Sequence, residues 1–462
     1  MFEVAQMWNR CLVQLGSIGL KMKTKAFLAG FLCLLTAAWA WDALYSHPAT
    51  GDMPWVLRLH GLYLTGVWSI GLMSLAMILA TRPAWLEVPL GGMDKIYHLH
   101  KWSGILAIAF GGAHWLIKMA GDPLTALFGR EGRPARDAVL SFMLPLRSQA
   151  KDLGEIAIYL LLGLLALALW KRFPYRPWRL QHKTMPIIHL AVAFHVIALM
   201  PLAYWSGPTG VLLAVLLAGG VFADGICLAQ RIGSRRRHSG TIETVVDRGG
   251  ILEVTCNPGS TWRGHRPGQF AFVTFDCHEG AHPFTIANAS STDSNRIIFE
   301  IKALGDYTSS LARRLRARQP VIIEGPYGCM DWQLGREDAE QVWVAGGIGV
   351  TPFLAWLESM QHISPSIPIT MHYCVHNAAS DPFIERIEQL CAQLPNVRVH
   401  VHDSTHGDRL DSEKLVVDRR LPNGKMDLWF CGPSGLAKVL APDLKKLLGR
   451  GFRIHQEVFE MR

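Results

Sequence analysis

Read for its apolar and polar positions, the 462-residue chain falls into two halves. From about residue 26 to 230 long apolar runs are broken by short polar stretches; from 241 onward the runs are shorter and separated by turn residues. Six segments of the first half, at about 26–45, 56–80, 98–120, 153–171, 182–202 and 208–230, approach or exceed the ~20 residues that a bilayer-spanning helix needs. In the second half, "TIETVV", "ILEVTC", "GQFAFVTF", "HPFTIAN", "RIIFEIKAL" and "PVIIEG" predict a small antiparallel β-barrel over 241–335. From 336 strands alternate with helices: "VWVAG", a helix from Thr351, "ITMHYCV", a helix near 382–393, "VRVHVH", "DLWFCG" and a closing helix. That alternation predicts a doubly wound α/β domain over 336–462. The expected organisation is therefore multi-domain: an N-terminal segment 1–25, a six-helix all-α bundle over 26–230, a basic linker "RIGSRRRHSG" over 231–240, the barrel, and the α/β domain.

Charge then orients the helices. Lys21, Lys23 and Lys25 precede the first segment, "KRFPYRPWRLQHK" follows the fourth, and Arg231, Arg235, Arg236 and Arg237 follow the sixth; the connections 46–55 and 203–207 hold no Lys or Arg. Positive residues stay inside, so the N-terminus and the second half are expected in the cytoplasm of a multi-pass protein of the cell inner membrane. The loop 121–152 is the exception, with Arg130, Arg133, Arg136, Arg147 and Lys151 partly offset by Asp122, Glu131, Asp137 and Asp152. It reads as a mixed-charge surface helix, or as an attractor for an anionic substrate. "KMKTKAFLAGFLCLLTAAWA" has the pattern of a signal peptide, but the twenty residues ahead of it argue against cleavage. The net charge of +9 lies mostly beside apolar runs, with no basic stripe interleaved with aromatics, so no nucleic-acid partner is expected. The nine cysteines form no C-x-x-C pair, which argues against structural zinc and a disulfide framework.

Histidine is expensive inside a bilayer and marks function there. "YHLHKWSGILAIAFGGAHW" places His100 and His114 fourteen apart, on one helix face and about 21 Å apart along the axis. "LQHKTMPIIHLAVAFHV" places His182 and His195 thirteen apart, about 19.5 Å on the same rise. Two such helices make two bis-histidine sites stacked across the membrane, and neutral imidazole is a standard haem-iron ligand. The third and fifth segments run in the same direction, so His100 pairs with His182 at an inner haem and His114 with His195 at an outer one. Thirteen residues turn an ideal helix by about 220°, so Pro186 is expected to kink or rewind the segment. His98 and His189 read as structural or near-haem residues. Arg58, His60 and Lys118 lie near the outer level, where they could pair a propionate or hold an acceptor; snorkelling is the plainer account of Lys118.

In the α/β domain "GGIGVTP" sits at the first strand–helix turn. Gly346, Gly347 and Gly349 admit a pyrophosphate close to backbone, Thr351 can cap the helix and Pro352 suits its first turn. "CGPSG" at 431–435 is a second strand-end glycine turn.

The ordered motifs "RPGQF", "HPFTI", "GDYTSSL", "EGPYG", "GGIGVTP" and "CGPSG" resemble the ferredoxin–NADP reductase family. Joined to six helices with these histidine spacings, the chain resembles the ferric reductase and NADPH oxidase superfamily in a bacterial form. The resemblance implies FAD in the barrel, with His282, Pro283, Phe284 and Thr285 along the isoalloxazine and ribityl chain, and Gly305, Tyr307 and Thr308 at its pyrophosphate. It implies a nicotinamide cofactor on Gly346, Gly347, Ile348, Gly349, Val350 and Thr351, with Cys431, Gly432 and Pro433 near its ring. Cys431 and Gly325 with Gly328 read equally as core and turn residues. Phe459, in "EVFEMR", is the candidate aromatic to stack on the flavin, although it lies further in than the terminal aromatic of relatives, and it reads also as buried packing. His376 stands where many relatives have arginine, which leaves NADH and NADPH both open.

The expected activity is electron transfer from NAD(P)H through FAD and two haem b groups to an acceptor on the outer face. A ferric chelate is the first expectation, oxygen reduced to superoxide the second, and a periplasmic redox partner the third. A haem-free, membrane-anchored flavin reductase is the competing reading from another class; a haem transporter or sensor would leave the nucleotide motifs idle.

Overall fold

The computed structural model describes residues 24–135, 137–170, 172–290, 295–361, 367–417 and 424–457. It divides into two compact units, one made of Gly19–Gly91 and Lys95–Ile232, the other chiefly of Gly233–Arg462.

The first unit contains six helices long and apolar enough to cross a membrane. The helices of these spans are α1 (Thr24–Ala40, continued by a π turn Trp41–Ser46), α2 (Met53–Ala80), α3 (Met93–Met119), α4 (Arg147–Leu169), α5 (Met185–Leu199, the longer part of the span Pro177–Leu199) and α6 (Pro208–Leu228). Helix α2 is central and packs against α1, α5 and α6; α4 packs closely on α5, whereas α3 keeps farther from α5. Leu35, Trp39, Val67, Ile70, Ala193, Leu213 and Leu217 form the core between them. The outer faces stay apolar, with Ile156, Leu160, Val211, Val215 and Phe222 exposed. Helices satisfy their own backbone groups, so such a surface suits hydrocarbon. The loop after α3 begins with a further short helix, Gly121–Phe128.

The second unit opens with six strands: β1 (Arg237–Asp247), β2 (Ile251–Asn257), β3 (Phe270–Thr274), β4 (His282–Thr285), β5 (Ile297–Lys302) and β6 (Pro320–Tyr327). Their order is β4-β3-β6-β1-β2-β5, with antiparallel pairing. An Ile286–Phe299 bridge links the two edges and nearly closes the barrel. Strand β1 starts inside the stretch read as linker, because Arg237 to Thr241 pair with Glu324 to Pro320 of β6. Helix α7 (Asp306–Arg314) covers the barrel with Leu311 buried.

A parallel sheet follows, of β7 (Glu340–Gly346), β8 (Ile369–Val375), β9 (Val397–Asp403), β10 (Met426–Cys431) and β11 (Phe452–Gln456), ordered β11-β10-β7-β8-β9. Helices α8 (Thr351–Met360), α9 (Ile384–Cys391) and α10 (Ser434–Leu448) connect these strands. Trp343, Phe353, Trp356 and Trp429 pack edge and face in one core. Trp356 Nε1 also donates to the Pro267 carbonyl of the barrel at 3.0 Å. On the opposite face His372 stacks with His400 and His402, at 5.2 and 5.3 Å between ring centres.

Candidate redox centres

Four histidines of the bundle form two facing pairs. The rings of His100 and His182 are 6.0 Å apart between centres, and those of His114 and His195 are 6.4 Å apart. Backbone carbonyls set the tautomer at three of them. His100 Nδ1 donates to Ala76 O at 2.9 Å, His114 Nδ1 to Leu62 O at 2.8 Å and His195 Nδ1 to Ala150 O at 2.7 Å. With the proton held on Nδ1, Nε2 keeps its lone pair for a metal. Two metal–imidazole bonds of roughly 2 Å, with the ring radius added at each end, require a centre-to-centre separation of about 6 Å. Both pairs meet that requirement. Glycines make room around them: a Cβ on Gly154 would lie 2.2 Å from His195 Nδ1, one on Gly66 3.2 Å from His114 Nδ1, and one on Gly104 or Gly112 would enter open space. The residues fit two bis-imidazole haems.

The continuous kinked helix expected around Pro186 is replaced by a break. A short helix, Tyr175–His182, ends at His182, a turn follows at Lys183 and Thr184, and α5 restarts at Met185 with Pro186 in its first turn. The break frees His182 from the helical phase of His195, which removes the 220° mismatch. Trp178 stacks on His182 at 5.0 Å.

The other bundle residues divide by their partners. His98 accepts from Trp102 Nε1 at 3.2 Å. His189 is fully buried, held between Asp224 Oδ2 at 2.6 Å and Ser74 Oγ at 3.0 Å. Arg58 donates to the carbonyls of Ile117 and Lys118 at the end of α3, and Lys118 pairs with Glu155 at 2.7 Å. His60 meets Trp39 edge-on at 5.7 Å.

In the barrel, His282 and Tyr307 stack face to face at 4.1 Å, and burial pushes the Tyr307 hydroxyl up to about 12. Pro283, Phe284 and Thr285 are half-buried along β4. Gly305 precedes the first turn of α7, and the Thr308 hydroxyl is engaged there, accepting from the backbone N–H of Leu304 at 2.9 Å and Gly305 at 3.2 Å. A helix start of this kind is the usual setting for a phosphate.

The two glycine turns of the α/β domain touch backbone to backbone. A Cβ on Gly349 would lie 2.2 Å from Cys431 O, one on Gly346 2.5 Å from Pro433 Cδ, and one on Gly432 2.9 Å from Gly346 N. Gly347 has φ +54 and heads a 3-10 turn through Ile348, Gly349 and Val350. Thr351 is the first helical residue and not the cap; its hydroxyl donates back to Ile348 O at 3.1 Å. Cys431 is buried at the end of β10, and burial, with Glu457 beside it, pushes its thiol up to about 12. It is a neutral group at ordinary pH. His376 Nδ1 lies 3.1 Å from Ser404 Oγ. Phe459 lies outside the described residues.

Three residues of these centres escaped the sequence reading. Glu457 accepts from the backbone N–H of Cys329 and faces Cys431; "QEVFEMR" offered only its place beside Phe459. Lys302 Nζ comes within 4.0 Å of the point a Gly347 Cβ would occupy, and closes β5 just before "GDYT". Asp224 was the legible one, an acid inside the apolar run "LLAGGVFADGICL".

Residues 65–193 match the family described as ferric reductase like transmembrane component, 241–331 the FAD-binding domain, and 343–441 the oxidoreductase NAD-binding domain. A flavohemoprotein of Deinococcus radiodurans is 23% identical over 186 residues, 38% of this chain and 46% of that protein. The carnitine monooxygenase reductase subunit of Escherichia coli is 31% identical over 121 residues, 26% and 35% respectively. Ferric reduction oxidase 8, mitochondrial, of Arabidopsis thaliana is 28% identical over 152 residues, 30% and 21%. The chain thus spans half or less of the length of these curated relatives. The three matches run from N- to C-terminus in the order of the three structural parts, a ferric-reductase-like membrane part, an FAD-binding part and an NAD-binding part, which is the organisation of a ferric reductase/NADPH oxidase-type fusion.

Proposed function

We propose that this oxidoreductase moves electrons from cytosolic NAD(P)H, through FAD and two b-type haems, to a ferric chelate on the outer face of the cell inner membrane. The observation that carries the reading is the pair of facing imidazoles at each level, with three Nδ1–carbonyl bonds that leave Nε2 free. His100 and His182 hold the inner haem, and His114 and His195 the outer one. Gly305, Tyr307 and Thr308 hold the FAD pyrophosphate, and His282 to Thr285 flank its ring and ribityl chain. The turns Gly346–Thr351 and Cys431–Pro433 hold the nicotinamide nucleotide, and the un-ionised Cys431 thiol contributes shape and not charge beside it. The bound cofactors supply the chemistry: hydride acceptance at the flavin, then one-electron transfer between haem edges. The named ferric reduction oxidase relatives and the basic loop after α3 support an anionic iron chelate as acceptor.

The test is a reduced-minus-oxidised spectrum of detergent-purified protein with NADPH, first alone and then with anaerobic ferric citrate. A b-type signal of about two haems per chain, reoxidised by ferric citrate, is the expected result. Reoxidation by oxygen with superoxide formation, and none by ferric citrate, would make oxygen the acceptor. Absence of haem with full flavin reductase activity would overturn the relay.

A further inference from the structure

Ser74 of α2, His189 of α5 and Asp224 of α6 form a buried polar cluster inside the bundle. Their exposures are 1%, 0% and 0%. His189 Nδ1 donates to Asp224 Oδ2 at 2.6 Å, and Ser74 Oγ lies 3.0 Å from His189 Nε2. Asp224 Oδ1 is buried with no hydrogen-bond partner. Gly220, one turn before Asp224, admits the imidazole: a Cβ there would lie 2.6 Å from His189 Cε1 and 3.2 Å from Ser74 Cβ. Among the described residues no Lys, Arg or second acid bonds to the cluster; the Cys227 thiol lies three residues beyond Asp224 on the same helix.

A carboxylate here is costly unless its charge is balanced. Its one hydrogen-bond partner among the described residues is an imidazole and its second oxygen is orphaned, so the geometry can accommodate one further positive charge on that imidazole. The cluster's place is telling. His189 lies about 6 Å along α5 from Met185, and Asp224 about 6 Å along α6 from Leu228, on the side of the bundle where His182 ends its helix. Ser74 is two residues from Ala76, whose carbonyl orients His100.

We propose that Ser74, His189 and Asp224 form a proton-binding site that loads when the inner haem is reduced. This rests on the haem reading above. In the oxidised state His189 is neutral, with its proton on Nδ1. When one electron from NAD(P)H arrives, one proton from water on the same face binds Nε2. The Ser74 hydroxyl turns from donor to acceptor, Nδ1–H stays on Asp224, and no bond other than N–H forms. The electron's charge is thereby compensated within the hydrocarbon layer; oxidation returns the proton.

The test is an anaerobic spectroscopic redox titration of the purified holoprotein between about pH 6 and 8. In the wild type one haem's midpoint should fall with rising pH at nearly one proton per electron. Asp224→Asn and His189→Gln should flatten that slope by more than half and leave the other haem's titration unchanged. A pH-independent wild type, or a slope retained in Asp224→Asn, overturns the proposal. Should neither variant assemble, the wild-type reduced-minus-oxidised infrared spectrum decides: an imidazolium band upholds the site, and its absence overturns it. A protein without haem would instead fail the earlier reading.

Discussion

Gly154 shows how much one missing methyl can matter. Its place on α4 lets the His195 ring lie against the helix backbone, where Ala150 O fixes the tautomer. A methyl at 2.2 Å from Nδ1 cannot be absorbed by a small shift, since it meets ring atoms held on the other side. Gly154→Ala should therefore cost the outer centre alone, lowering haem content from about two to about one per chain while NADPH-dependent flavin reduction continues. A haem-to-protein ratio with flavin content measured on the same sample checks this. Gly349 is the soluble counterpart. Its Cβ would press on Cys431 O and Gly432 N and part the two nucleotide turns. Gly349→Ala should weaken NAD(P)H binding by about ten- to a hundredfold, the equivalent of roughly 1.4–2.7 kcal/mol, with FAD retained; stopped-flow flavin reduction against nucleotide concentration reads it.

At the scale of elements, the β8–β9 pairing carries a pH dependence. His372 is 1% exposed and lies beside His400 and His402. Burial, and then the two neighbouring imidazoles, push its pKa from 6.5 down to about 3. The folded state therefore resists a proton that the unfolded chain accepts. The stability this residue contributes is complete above about pH 6.5 and is lost as pH falls toward 3, on the order of 3 kcal/mol by pH 4. The midpoint temperature for flavin release should drop through that window in the wild type and drop less in His372→Asn. Strand β11 teaches a different lesson. "FRIHQ" alternates over only four residues, too short a run to single it out, and its parallel register against Met426–Phe430 makes it a strand. By contrast β1 to β10 were legible from short runs rich in β-branched and aromatic residues. The break between Tyr175–His182 and α5 was half legible: Pro186 announced a disturbance, but the helix restart depends on how the chain packs.

For the whole molecule, the charge asymmetry of the loops predicts a single orientation. In a Cys33→Ser background, a cysteine at Glu131 should react with an impermeant maleimide in intact cells, and the exposed Cys277 only after permeabilisation. The reverse pattern would place the dehydrogenase half outside. Sequence alone determined the span count, the barrel followed by a parallel sheet, and the histidine spacings, because hydrophobic length and periodicity are local properties of the chain. Tertiary structure alone decided that His100 meets His182 across 6.0 Å and His114 meets His195 across 6.4 Å, that carbonyls of three different turns set their tautomers, and that His189 closes on Asp224 and Ser74. Each of those contacts joins residues far apart in the chain, and its distance depends on how closely neighbouring helices approach. That approach is set at glycines such as Gly154 and Gly220, whose importance lies in the side chain that comes to rest against them.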